Sequence, residues 1–180
     1  MAKHVYSGIP GITNNQTIAD GSYDPDADIL IAKSQTFGEP QDKLSMQFYR
    51  PVVINKMTLK GLTEGETVST VVIEGDKKIT GNYDYENDNW TEHSDKITLT
   101  VNKVVPDGGE LPVYFITKPA DGVTLTVTAN TDENTYSKSF TRTIDFKEGQ
   151  VTVFGVRGPA VKTCKTRRRI VSLSQRFTEP

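Results

Sequence analysis

Ile97-Thr-Leu-Thr-Val101 and Val123-Thr-Leu-Thr-Val127 put an apolar side chain at every second position, and this spacing decides the fold. Period-two alternation gives a strand one apolar face and one polar face, as in a half-buried β-sheet. The pattern continues on both sides of these runs. Leu44-Met46-Phe48, Met57-Leu59, Val113-Phe115, Ile144-Phe146 and Val151-Val153 repeat it, and each is expected to point its apolar set inward. Turn residues interrupt the ladder at Gly61–Gly65, Gly75-Asp76, Pro106–Gly109, Pro119–Gly122 and Asn130–Asn134, the last two with hairpin chemistry. No stretch carries a 3.6-residue period with start and stop signals. The sequence predicts an all-β fold, an antiparallel Greek-key β-sandwich of seven to nine strands. Pro51, with a shift of apolar phase after it, suggests a bulge or an edge position.

Three regions follow from the distribution of these signals. Residues 1–40 are turn-rich and too poor in periodic apolar residues for a core of their own, so they read as an extended arm or the remnant of an N-terminal domain. Residues 41–158 form the sandwich. Residues 159–180 read as a basic, disordered tail. Charge divides the same way. The chain carries −2 overall, but from Arg157 onward it carries +6, leaving −8 on the rest.

Composition excludes several function classes. The apolar runs are far shorter than the roughly 20 residues of a membrane helix. The first ten residues contain no apolar leader core and no lipid-accepting cysteine, so no export signal is visible. The single cysteine, Cys164, can form neither an intrachain disulfide nor a cysteine metal cluster. His4 and His93 are far apart in polar segments, and no nucleophile, phosphate-loop or zinc motif is present. The expectation is a protein that is not an enzyme and needs no cofactor.

Two segments have the composition of a site. Gly81–Asp95 is polar and aromatic and reads as the longest exposed loop. In it Tyr83, Tyr85 and Trp90 could stack on sugar rings beside carboxamide and carboxylate groups, though a plug at the end of the sandwich is the better reading of Trp90. Asp24, Asp26 and Asp28 have the spacing of the first half of a calcium loop. Ile29 and Gln35 occupy the positions of its glycine and bidentate glutamate, so an Asp-Pro turn is the better reading. The Lys165–Arg169 run beside an acidic body argues against nucleic acid as a partner.

Tyr23-Asp-Pro-Asp-Ala-Asp-Ile-Leu-Ile-Ala-Lys33 and Leu44-Ser-Met-Gln-Phe-Tyr-Arg-Pro-Val-Val-Ile-Asn-Lys-Met-Thr-Leu-Lys-Gly-Leu62 resemble the fimbrillin-like proteins of Bacteroidales-type anaerobes. Val113–Ala120, Leu125–Phe140 and Phe146–Val156 continue the likeness in a more generic form, over about residues 22–158. The resemblance implies transthyretin-like sandwiches exported as lipoproteins. It also implies a structural or adhesive fimbrial (pilus) subunit at the cell surface or outer membrane. Its partners would be other fimbrial subunits joined by strand exchange, with host or microbial glycans or proteins as further partners. Measured against that resemblance, the expectation is a chain without the family's leader and most of its N-terminal sandwich. The alternative expectation is a secreted glycan-binding sandwich that uses residues 81–95.

Overall fold

The computed structural model describes residues 10–19, 21–32, 47–156 and 161–164. Its fifteen strands, in chain order, begin with β1 (Asn15–Thr17), β2 (Ile31–Ala32), β3 (Phe48–Tyr49), β4 (Val53–Lys60) and β5 (Thr67–Gly75). They continue with β6 (Gly81–Asp84), β7 (Asn89–Glu92), β8 (Lys96–Val104), β9 (Glu110–Thr117) and β10 (Ala120–Val123). The last five are β11 (Leu125–Thr131), β12 (Asn134–Ser139), β13 (Ile144–Phe146), β14 (Val151–Val156) and β15 (Val161–Cys164). The only helical element among the described residues is a 3-10 turn at Pro25–Ala27.

Two sheets form the body: a six-stranded sheet ordered β1-β8-β5-β11-β12-β15 and a three-stranded sheet ordered β14-β4-β9. The described residues form fifteen strands where the sequence predicts seven to nine: nine lie in these two sheets, and three two-stranded ribbons (β2-β3, β6-β7, β10-β13) hold the other six. Apolar residues from both sheets meet in one core. Val71, Ile73, Ile97, Leu99, Leu125 and Val127 come from the larger sheet, and Met57, Leu59, Val113 and Phe115 from the smaller. All are buried, so the alternation read in the middle of the chain reports the core face correctly. Fully burying one such side chain stabilises by about 1.5–3 kcal/mol. The fold is an all-β sandwich.

Four expectations are corrected. The sheets are not purely antiparallel: β1 lies parallel to β8, and β14 lies parallel to β4. Both parallel pairs join segments distant in sequence, where no hairpin imposes the antiparallel sense. At the two ends of the ladder the apolar phase fails. Phe48 is 62% exposed, because among the described residues β3 pairs only with the short β2 and no second layer covers that side chain. Val151 and Val153 are 60% and 69% exposed, while Phe154 packs against the core through edge-to-face contacts with Phe115 and Phe140. One residue of phase exchanges the faces of a strand, and the inward position at β14 belongs to the larger aromatic side chain. Leu44 and Met46 lie outside the described residues. The Pro119–Gly122 segment is not a hairpin connection, since Ala120–Val123 pairs with β13 rather than folding β9 onto β11. Asn130–Asn134 does connect a hairpin, β11 to β12.

Residues 10–19 and 21–32 are built into the fold. β1 extends the six-stranded sheet, and Gly11 bridges to Asn82 of β6. Ile12, Ala27 and Ile29 are buried with Val52, Tyr83 and Ile116 in a second, smaller core. This second core lies against the face of the three-stranded sheet that points away from the main core, since Ile116 is on the opposite side of β9 from Phe115. Within the stretch assigned to the tail, Val161–Cys164 pairs antiparallel with β12. The run Lys165–Arg169 and His4 lie outside the described residues.

Candidate functional site

Gly81–Asp95 contains the β6-β7 ribbon rather than an open loop, and its polar residues make the turn. Asp84 Oδ1 accepts the backbone N–H groups of Glu86 and Asn87 at 3.0 and 3.2 Å, and Oδ2 accepts the Asn87 amide at 2.7 Å. These donors hold the Asp84 carboxyl below the usual carboxylate range, with the Asn87 side chain contributing most. Asp88 takes a positive φ of 50°, a conformation that Asp tolerates better than most residues. Gly81 has no space for a side chain, because a Cβ there would lie 2.2 Å from the Thr91 carbonyl oxygen.

The three aromatic residues of this segment divide. Tyr83 is 1% exposed and belongs to the second core, so its ring offers no face to a ligand. Its hydroxyl bonds the Asp88 carboxylate and lies 3.1 Å from the Tyr49 hydroxyl. Burial first, then these two partners, pushes the phenol's pKa far up. Trp90 packs on Tyr83 with ring centroids 5.2 Å apart and is partly buried against the same core. Tyr85 is exposed. Position along the ribbon decides this split, since Tyr83 and Trp90 are register partners and share a face.

Each carboxylate of the Asp24–Asp28 segment has a separate position. Asp24 caps the 3-10 turn, accepting from Asp26 N at 3.0 Å, and it also accepts from Thr17 N at 2.7 Å. Asp28 receives a two-pronged pair from Arg50, with Nε at 2.7 Å and Nη2 at 2.9 Å. That pair raises the arginine's pKa through the hydrogen bond to Asp28. Asp26 is exposed. Among the described residues no group of three or more His, Cys, Asp or Glu side chains could hold a metal ion.

The feature that sequence reasoning missed is the difference between the two edges of the three-stranded sheet. At β9 the outer edge is blocked. The Gln16 carboxamide is buried and pairs with the Ile116 backbone in both directions, accepting from its N–H and donating to its C=O, each at 2.9 Å. Pro112, on the same side of the strand, has no N–H to offer. At β14 the described residues show pairing on one side only, to β4. Ile54 N donates to Gln150 O, and alternate residues of a parallel strand bond the same neighbour. The backbone groups of Val151 and Val153 therefore point away from β4. Their side chains stand on the outer face, in register with Ile54 and Lys56. The strand Val-Thr-Val-Phe-Gly-Val contains no charge and no proline. Pro112 was the signal in the sequence that could have located one edge. Nothing local to Gln16 marks it as a cap, since its partner lies 100 residues away.

Among solved structures the chain is similar to the crystal structure of a "putative cell adhesion protein" from Bacteroides ovatus, at 15% sequence identity and a TM-score of 0.44. The match covers 68% of this chain and 46% of that one, so this chain spans less than half of that protein's length. No family model and no curated protein matches the sequence. No helix among the described residues is long and apolar enough to cross a membrane.

Proposed function

We propose that this chain is a non-catalytic structural or adhesive component of the cell surface that associates with neighbouring subunits by strand addition along β14. The observation that carries the reading is the contrast of edges. β9 is closed by Gln16 and Pro112, whereas β14 presents an uncharged hexapeptide with Val151 and Val153 exposed. Soluble sandwiches protect their edges with charge, proline, bulges or covering segments, and an uncharged apolar edge is a template for another strand. Strand addition takes its affinity from main-chain hydrogen bonds and its specificity from alternate side chains, so it requires no catalytic group. The resemblance of Tyr23–Lys33 and Leu44–Leu62 to fimbrillin-like proteins supports the same reading and gives the assembly its setting, a fimbrium with transthyretin-like, lipoprotein-type subunits. The hairpin supplies little for the glycan alternative, because Tyr85 alone presents an exposed ring.

The test is the oligomeric state of the full chain, measured by light scattering over a concentration series beside Val153→Lys. A charge on the exposed face of an edge strand opposes pairing without entering the core. The expected result is concentration-dependent association of the wild type and its loss in the variant, with an unchanged melting temperature of the monomer. A wild type that stays monomeric at every concentration, or a variant that associates equally, refutes strand addition at β14.

A further inference from the structure

The outer face of the six-stranded sheet carries an interlocked array of hydroxyl and carboxamide groups. Register places Thr17, Thr100, Thr70, Asn130 and Thr135 side by side across five strands. A second row, two residues along, runs Asn15, Thr98, Val72, Thr128 and Ser137. Members of a row are spaced by roughly 4.8 Å between strands, and the rows by roughly 6.8 Å along them.

Neither row contains a charged residue, although 24% of the chain is charged. Threonine suits strands, which accounts for its presence. It does not account for the exclusion of Lys and Glu from two consecutive rows of a wide solvent-facing sheet. Charge returns in the next row, where Lys96 and Glu74 are partners. The groups also hold one another in place. Thr128 and Ser137 hydroxyls lie 3.0 Å apart, Asn130 Nδ2 donates to Thr70 Oγ1 at 3.1 Å, and Thr135 Oγ1 donates to Asn130 Oδ1 at 3.1 Å. A bond between two hydroxyls uses one hydrogen, so one donor and several lone pairs of each such pair remain for an external partner.

We propose that this face binds a neutral polysaccharide. The complementarity is one of charge and of hydrogen-bond type. With no charge at these ten positions the two rows give an ionic partner nothing, and with Val72 as the one apolar residue among the ten they give an apolar partner little. A partner that presents closely spaced groups, each both donor and acceptor, matches it, and sugar hydroxyls are such groups. A single exposed hydrogen bond contributes little net, so binding depends on many at once along an extended chain. Ordering the side chains beforehand through lateral bonds lowers the cost of engagement.

The experiment measures depletion of the full-length protein from solution by insoluble cellulose, granular starch and insoluble mannan, with a polygalacturonate gel as the anionic control. The expected result is retention on at least one neutral polysaccharide and none on the anionic gel. Retention should persist at about 1 M salt, where charges are screened within about 3 Å. Thr128→Ala/Ser137→Ala should weaken it about tenfold, the equivalent of two modest hydrogen bonds, and Thr70→Lys should abolish it. Both variants should melt as the wild type does. Val153→Lys should bind normally, which separates this face from the β14 edge. Absence of retention on all three neutral polymers overturns the proposal. So does wild-type retention by the double variant, or retention lost only with Trp90→Ala.

Discussion

Glu66 is buried just before β5, and three of the groups that donate to its oxygens come from the β11-β12 hairpin. Thr131 Oγ1 donates to Oε2 at 2.7 Å, the Tyr136 hydroxyl lies 3.1 Å from both oxygens, and Asn134 Nδ2 donates to Oε1. Burial pushes this carboxyl's pKa up, but the donors of Thr131, Asn134, Tyr136 and Thr63 together outweigh it and hold it below 4.5. A depressed folded-state value means that the carboxylate's stabilisation is complete above the unfolded value of about 4.5 and is lost as pH falls through the folded one. Acid melts of the wild type should therefore lose stability below that point more steeply than melts of Glu66→Gln. At neutral pH the variant should be less stable by about 1–3 kcal/mol, because its amide NH2 faces donors. From sequence, Glu66 is one acid beside a turn; Thr131, Asn134 and Tyr136 lie 65–70 residues on, and only folding brings them to it.

At the scale of elements, the ladder was legible wherever a strand is covered by a second layer. Ile97, Leu99, Val113 and Phe115 are buried as their spacing predicts. It misleads at Phe48, Val151 and Val153, where a strand lies at a margin and alternation does not say which face the body covers. The β6-β7 ribbon was illegible for another reason, since a dense run of Asn and Asp has the composition of a loop whether or not its flanks pair. Asp84 is the residue that turns one into the other. Asp84→Ala should speed amide exchange at Glu86 and Asn87 and lower the melting temperature, while leaving exchange in β5 and β8 unchanged. Equal protection at Glu86 and Asn87 in the variant would show that the turn forms without the carboxylate.

For the whole molecule, residues 10–19 and 21–32 hold the back of the three-stranded sheet. Gln16 closes the β9 edge, and Arg50 ties Asp28 to the approach to β4. Gln16→Leu leaves the Ile116 N–H and C=O without those partners and should cost about 1–3 kcal/mol. It should also open a second sticky edge, so light scattering of this variant should show association that Val153→Lys does not suppress. Association that Val153→Lys abolishes completely would show that β9 stays closed without the cap.

The sequence by itself determined the class of fold, the middle strands and the side chains of the main core, because alternation and turn chemistry are local properties of the chain. It also marked the carboxylates and rings that could have formed a site. The tertiary structure alone decided that Tyr83 is core, that Asp28 belongs to Arg50, and that Gln16 closes one edge while β14 leaves another open among the described residues. It alone aligned the hydroxyl rows across five strands. These are properties of register and of which strand lies beside which, and they are set by pairings between segments up to about a hundred residues apart.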